Sequence, residues 1–138
     1  MAAAPTRRTP RDAALAAEAL LLLIAARRMV RTAGLRGISA RLEALPDARG
    51  AHDAAVCADI VWAVGAAARR MPLRLLCYER GIAACHMLSR RGLAATFHYG
   101  VGRDDGDLAA HVWVTSGPLP VIGCAEAADY RVVLRVSR

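Results

Sequence analysis

Apolar residues in the first half of the chain recur every three or four positions, which is the spacing of an amphipathic helix. A threonine, a proline and an aspartate within residues 9–12 form a helix-start signal, in which the threonine caps the helix and the proline occupies its first position. This signal predicts a helix from there to about Arg31, ended by Gly34 and Gly37. Two further helices are predicted over residues 39–45 and 52–71, each ending before a proline.

The second half of the chain changes from helical spacing to the alternation of a sheet. One more helix is predicted from about Cys77 to Gly92, where a basic pair precedes the glycine that ends it. Beyond it, apolar and polar residues alternate with a period of two. Strands are predicted over residues 95–101, 108–114, 119–122 and 130–136, with the first turn at 102–107. Helices followed by strands indicate an α+β fold, in which a small antiparallel sheet packs on the Cys77 helix.

The alternation also brings several ring side chains to one region of the predicted sheet. His111 and Trp113 project to one face of the second strand, whereas Val112 and Val114 project to the other. His98, on the preceding strand, is predicted to come near His111. We therefore consider Trp113 and His98 as walls of a substrate cleft, with structural packing as the alternative for both.

Length and composition are those of one domain with a hydrophobic core. The chain has 138 residues, 56% of them hydrophobic and 22% charged, which excludes a disordered chain and a repeat array. The longest apolar run, over residues 13–26, contains Glu18 and is shorter than the roughly 20 residues of a membrane span. We predict a single domain over residues 1–138, with a helical part at 1–70 and the Cys77 helix and sheet at 71–138.

The net charge and the cysteine content limit which binding partners and which cellular compartment the sequence predicts. All nineteen basic residues are arginine, and the formal net charge is +7. This excess is compatible with arginines at helix ends, with a solvated basic face and with an acidic partner, and we predict no nucleic-acid partner. The four cysteines include no C-x-x-C pair, so the sequence predicts no metal site. In the absence of a persuasive export signal we expect free thiols in the cytoplasm.

Cys77 and His111 have the placement of a thiol nucleophile and its base. A cysteine in the first turn of a helix lies near unpaired backbone N–H groups and the positive end of the helix dipole, which stabilise a thiolate. Cysteines so placed have pKa values of about 3.5 to 7.5, so we predict an ionised thiol near neutral pH. The same N–H groups, that of Cys77 first, can donate to an oxyanion. A structural cysteine and an ordinary strand histidine are the alternative interpretation.

Four segments carry a resemblance through their order and spacing. They are LCYERG beginning at Leu76, CHMLSRRGLAA at Cys85, GVGRD at Gly100 and AHVWV at Ala110. This set resembles the transglutaminase-like cysteine peptidases of lasso-peptide biosynthesis, and the resemblance covers residues 71–136. It implies a transglutaminase- or papain-like core, with Cys77 as the nucleophile and His111 as general base and then general acid.

The resemblance also implies a reaction and its partners. The chain would cleave the leader peptide from a ribosomally made precursor in the bacterial cytoplasm, and a separate asparagine-synthetase-like cyclase would then form the macrolactam. Residues 1–70 are predicted as helices without the strands of a winged-helix leader-recognition element. The chain is therefore similar to the stand-alone peptidase, and a separate winged-helix protein is the implied partner. No cofactor is implied for the chain, and a nucleotide requirement of the coupled pathway stays open.

The sequence departs from the family pattern at the third catalytic group. Such sites have a carboxylate on the strand after the histidine strand, where it orients the imidazole. Here Gly123 and Cys124 stand where a Gly-Asp pair is expected. Either the third group is missing, or Glu126 or Asp129 supplies it, or a backbone carbonyl orients His111.

Two other functions remain as hypotheses. A transglutaminase-like enzyme can pass the acyl group from its cysteine to an amine instead of to water. A basic helical protein can also bind a partner without catalysis, and it would then keep its function after Cys77→Ala.

Overall fold

Three helices precede a four-stranded sheet in the computed structural model, which describes residues 9–48, 50–72 and 74–138. The helices are α1 (Pro10–Glu43), α2 (Ala54–Arg70) and α3 (Cys77–Arg90). The strands are β1 (Thr96–Asp104), β2 (Asp107–Ser116), β3 (Leu119–Ile122) and β4 (Arg131–Ser137), and a 3₁₀ helix (Cys124–Asp129) joins β3 to β4. Helices before strands confirm the predicted α+β class. The first eight residues of the predicted helical part lie outside the described residues.

Helix α1 consists of two helical limbs that meet at Gly34, one of the two glycines predicted to end the first helix. Thr9 caps it, because the Thr9 hydroxyl accepts from the Asp12 N–H and the Asp12 carboxylate accepts from the Thr9 N–H. At Gly34 the backbone leaves the helical path, with φ +63° and ψ −178°, but the helix resumes and passes through Gly37. The first limb therefore ends at Gly34 as predicted, and only Gly37 lies inside a helix, where a glycine costs about 1 kcal/mol. The predicted short helix over residues 39–45 is therefore part of the second limb of α1.

Helices α2 and α3 lie where the apolar spacing predicts them. Asp53 caps α2 by accepting hydrogen bonds from the N–H groups of Ala55 and Val56 at 2.9 and 3.1 Å. Helix α3 begins at Cys77, and residues 81–85, 87 and 88 are all buried, because the helix packs against α1, α2 and the sheet. A helix that is apolar on most sides belongs in the interior.

The strand order is β3-β2-β1-β4, and every neighbouring pair is antiparallel. Strands β1 and β2 are longer than predicted, since their pairing continues to Asp104 and Asp107. A two-residue turn joins them, in which Asp105 and Gly106 have φ values of +48° and +85°. An Asp-Gly pair with both φ angles positive is typical of the type I′ turn, whose twist matches a hairpin. The segment predicted as a long turn therefore belongs mostly to the strands.

Close packing between α3 and β2 sets the position of the helix start. Phe97, Val112 and Val114 are buried in the sheet, and they are the side chains nearest to Gly81 of α3. A Cβ atom at Gly81 would lie 2.6 Å from Cγ1 of Val112, so a side chain there would push the helix away from the strand. The glycine allows the approach that brings the first turn of α3 beside the middle of β2.

Candidate active site

One cavity at the N-terminal end of α3 joins residues from the helices and the sheet. Its volume is about 790 Å³. Cys77 at the start of α3 and His111 on β2 both line it, together with side chains of α2 and the residues at the end of β3. The structure therefore brings the predicted nucleophile and the predicted base to the same cavity.

A backbone carbonyl sets the tautomer of His111. Nε2 of the ring lies 2.7 Å from the carbonyl oxygen of Gly123. Because a carbonyl oxygen only accepts hydrogen bonds, Nε2 carries the proton. Nδ1 is then the unprotonated nitrogen, which is what a general base requires. Of the alternatives for the third group, the backbone carbonyl makes the closest contact with the imidazole.

The two acids considered for the third position are placed differently. Glu126 lines the cavity, and its Oε2 lies 3.8 Å from Nε2 of His111. Its side chain is 62% exposed, so water screens the attraction between the two groups. Asp129, at the end of the 3₁₀ helix, is exposed and is absent from the described residues that line the cavity. The structure thus brings Glu126, and not Asp129, near His111.

Gly123 is the residue of the Gly-Cys pair that faces the site. Its φ is +69°, and a Cβ atom there would lie 2.6 Å from the Val112 carbonyl oxygen and 3.1 Å from Nε2 of His111. Any side chain at this position would displace the imidazole. The thiol of Cys124 donates to the carbonyl oxygen of Val114 at 3.2 Å, so it holds the chain after β3. Sequence reasoning singled out the cysteine, whereas the glycine makes the contact.

Trp113 and His98 are buried beside His111, and neither is among the described residues that line the cavity. They are only 7% and 9% exposed. The Trp113 ring centroid is 5.1 Å from that of His98 and 6.0 Å from that of His111, with both pairs stacked. His98 is held by Nε of Arg135, which donates to Nδ1 at 3.4 Å, and by Oγ1 of Thr115 at 3.1 Å from Nε2. The strands stack these rings on one another, which agrees with structural packing, the alternative interpretation, and a role as cleft walls stays a prediction.

Tyr130 makes a tilted ring contact with His111, and sequence reasoning missed it. Its ring centroid lies 5.0 Å from that of His111. The available signal was an aromatic residue immediately before the last strand.

His98, on the other side of Trp113, is uncharged. Burial lowers the pKa of His98, and the charge of Arg135 lowers it further. His98 therefore stays neutral at neutral pH, so Trp113 packs against an uncharged ring on that side.

The electrostatics of Cys77 contradict the predicted ionised thiol. Burial raises the pKa of Cys77, the backbone N–H groups of Val112, Cys77 and Tyr78 oppose that shift, and the charge of Glu79 adds to it. Desolvation of the thiolate outweighs the favourable helix start because the sulfur is half-buried. The Cys77 thiol is therefore protonated at neutral pH in the free chain, and a base has to take its proton during attack.

Comparison with protein families agrees with this arrangement. The model of the family described as the transglutaminase-like superfamily matches residues 20–135. The chain belongs to this superfamily. The match runs from within α1 to within β4, so it also takes in most of the helical half, which the sequence resemblance over residues 71–136 does not cover. No curated protein and no solved structure matches the chain. Membership fits a thiol-dependent peptidase or acyltransferase with a transglutaminase-like α+β core.

Glu79 is a further residue of this transglutaminase-like site that sequence reasoning missed. Its side chain is buried, and the carboxylate accepts from the Leu76 N–H at 2.5 Å and from Nη1 of Arg27, on α1, at 3.4 Å. These contacts hold the first turn of α3, where Cys77 lies. The signal in the sequence was an acid three residues after the helix N-cap, where a carboxylate reaches back to the cap N–H.

No candidate metal site is present in residues 9–48, 50–72 and 74–138. In these ranges, no group of three histidine, cysteine or acidic side chains could hold a metal ion. The four cysteines are free thiols. In the same part of the chain, every helix is too short or too polar to cross a membrane.

Proposed function

We propose that the chain is a cysteine peptidase that cleaves the leader from a lasso-peptide precursor, before a separate cyclase forms the macrolactam. The observation that carries the proposal is the cavity shared by the Cys77 thiol and the His111 imidazole, whose Nδ1 is free to act as base. The segments LCYERG, CHMLSRRGLAA, GVGRD and AHVWV, in this order, support the lasso-peptide assignment.

Acylation begins when Sγ of Cys77 attacks the carbonyl carbon of the scissile peptide bond. Nδ1 of His111 takes the thiol proton as the C–S bond forms, which suits a thiol that is protonated at rest. The unpaired backbone N–H groups at the start of α3, that of Cys77 first, are the donors that we assign to the oxyanion. The C–N bond then breaks, and His111 gives its proton to the leaving amine.

Deacylation returns the enzyme to its starting state. Water attacks the carbonyl carbon of the Cys77 thioester while His111 takes a proton from the water. The C–S bond breaks, the sulfur recovers the proton, and the leader leaves with a carboxyl terminus. During both steps the imidazolium of His111 is stacked on Trp113, whose ring face attracts a positive charge.

The proposal includes two protein partners and no nucleic acid. A separate winged-helix protein would hold the leader, and an asparagine-synthetase-like cyclase would use the freed amino terminus, both in the cytoplasm. The chain itself is assigned no cofactor, because thiol attack and hydrolysis balance with water as the sole co-reactant.

The test combines the purified chain with the precursor peptide and the winged-helix protein encoded by neighbouring genes. Mass spectrometry should find a leader that ends in a carboxylate and a core peptide with a free amine. Cys77→Ala and His111→Ala, checked for folding by circular dichroism, should produce neither.

Other products would favour the competing functions. A leader joined to an added amine would indicate acyl transfer. A cellular role that Cys77→Ala retains in full, with no cleavage by the native chain, would indicate a non-catalytic binding protein.

A further inference from the structure

Three arginines line the same cavity as Cys77. Arg69 lies in the last turn of α2, Arg74 lies in the segment before α3, and Arg80 lies in α3 one turn after Cys77. All three are exposed, and none forms a salt bridge with an acid of the described residues. Their guanidinium groups are therefore available to a ligand in the cavity.

Some arginines elsewhere in the described chain pair with acids of the fold. Arg91 lies 2.7 Å and Arg90 lies 3.5 Å from the Glu18 carboxylate, and Arg27 contacts Glu79. By contrast, Glu126 is the one acid among the described residues that line the cavity, and its contact is with His111. The cavity thus carries an excess of positive charge that the fold does not neutralise.

We propose that Arg69, Arg74 and Arg80 form a subsite that binds a carboxylate side chain of the peptide substrate. This inference rests on the proposed peptidase function. Guanidinium groups form paired, charge-assisted hydrogen bonds with carboxylates, and such bonds are stronger where a cavity excludes part of the water. The substrate therefore carries an aspartate or glutamate within a few residues of the bond that is cleaved.

Occupancy of the subsite can be measured without turnover, as protection of Cys77 from iodoacetamide. Two pools of mixed-sequence peptides are compared, identical except that one fixed position is Asp in the first pool and Asn in the second. Fragment-ion mass spectrometry assigns the alkylation rate to Cys77. The Asp pool should slow alkylation about fivefold and the Asn pool less than about twofold, because only the carboxylate pairs with the arginines.

Matched charge variants separate the subsite from the general attraction of a chain with net charge +7. The combined substitutions Arg69→Gln, Arg74→Gln and Arg80→Gln should remove the difference between the pools. The control, Arg28→Gln, Arg31→Gln and Arg36→Gln, removes the same charge from exposed α1 positions outside the described cavity lining, and it should keep the difference.

Three results would overturn the subsite: equal protection by both pools, a difference that persists in the cavity variant, or a difference that the control loses as well. The precursor-cleavage assay scores the proposed function separately. Acid-dependent protection without precursor cleavage would reject the peptidase and keep the subsite. Cleavage without acid-dependent protection would reject the subsite and keep the peptidase.

Discussion

His111 obtains its orientation from the backbone and not from a third side chain. Its Nε2 proton is directed at the Gly123 carbonyl oxygen 2.7 Å away, while the exposed carboxylate of Glu126 lies 3.8 Å away. This explains how a Gly-Cys pair can stand where a Gly-Asp pair is expected. Because a carbonyl is neutral, it stabilises the protonated His111 ring less than a buried carboxylate would.

We expect Gly123→Ala to reduce the rate of leader cleavage about 100-fold or more, because the added Cβ would displace the His111 ring from its reactive position. Glu126→Gln should reduce the rate less than about threefold, since an exposed charge contact contributes little. Initial rates with the precursor, together with circular dichroism of both variants, check this prediction. A large loss in Glu126→Gln with little loss in Gly123→Ala would mean that the carboxylate orients the ring.

We expect the alkylation rate of Cys77 to keep rising with pH beyond the ordinary cysteine pKa of about 8.5. The reason is that burial raises the pKa of this thiol, so less thiolate is present at each pH. The rate can be followed with iodoacetamide on the tryptic peptide of residues 75–80, which contains Cys77 as its one cysteine.

Cys85 serves as the internal control for this experiment. Burial raises the pKa of Cys85 to about 12, so it should remain unlabelled while the chain is folded. If the alkylation rate of Cys77 no longer rises with pH above neutral, the pKa of its thiol is not raised. Such a result would indicate a thiolate–imidazolium pair in the free chain.

At the scale of elements, the site depends on the contact between α3 and β2. The helix supplies Cys77 from its first turn and the strand supplies His111 and the Val112 N–H. Two features hold the contact: the absence of a side chain at Gly81, and the Glu79 carboxylate that fixes the helix start. Gly81 and Glu79 are therefore positioning residues, which act by placing the Cys77 thiol.

Two glycine-to-alanine substitutions should change stability in opposite directions. Gly81→Ala should lower the free energy of unfolding by about 1 kcal/mol, because the clash with Val112 outweighs the gain in helix propensity. Gly65→Ala, inside α2, should raise it by about 0.5 to 1 kcal/mol, since the nearest side-chain atom would be 3.4 Å from the new Cβ. Urea denaturation measures both values, and stabilisation by Gly81→Ala would show that the helix does not need this close approach.

At the scale of the whole molecule, ion pairs join the helical half to the half that carries the site. Arg91 donates from Nη1 and Nη2 to the two carboxylate oxygens of Glu18 at 2.9 and 2.7 Å, which links α3 to α1. Arg27 of α1 contacts Glu79 at the start of α3. These links tie both ends of α3 to the same long helix, so α1 helps to position Cys77 from the far side.

We expect Glu18→Gln to lower the free energy of unfolding by about 1 to 2 kcal/mol near neutral pH, through loss of a paired, half-buried carboxylate. The hydrogen bond from Arg91 lowers the pKa of Glu18. A carboxyl group with a lowered folded pKa stabilises the protein fully above its unfolded pKa of about 4.3, and this stabilisation is lost as pH falls through the folded value.

The difference in stability between native chain and variant should therefore shrink as the pH is lowered from neutral toward about 2. Urea denaturation at both pH values measures it. Glu43→Gln, at an exposed position at the end of α1, is the control and should change stability at neither pH. An undiminished difference in acid would mean that Glu18 acts through packing and not through its charge.

Features that depend on residues close together in the sequence were predicted correctly, whereas contacts between different elements were not. The start of α3 at Cys77 and the limits of β3 agree with the sequence pattern, and the β1–β2 hairpin differs only in the length of its strands. The stacking of the Trp113 ring on His98 and His111 was not predicted, because alternation identifies the face of a strand but not which ring covers another. Tyr130 and the contact of Glu79 with Arg27 were missed since both contacts join different elements, although the local capping role of Glu79 had a signal in the sequence.

Local sequence was sufficient to set most helix and strand positions, because caps, glycines and alternation act over a few residues, and the family resemblance of four ordered segments favoured Cys77 and His111 as the catalytic pair. Tertiary packing decided three other properties: the protonated state of the Cys77 thiol, the carbonyl that orients His111, and the arginines that surround the cavity. Each of these depends on burial or on distances between atoms of different elements. A one-dimensional pattern does not contain those quantities, so they exist only once the chain has folded.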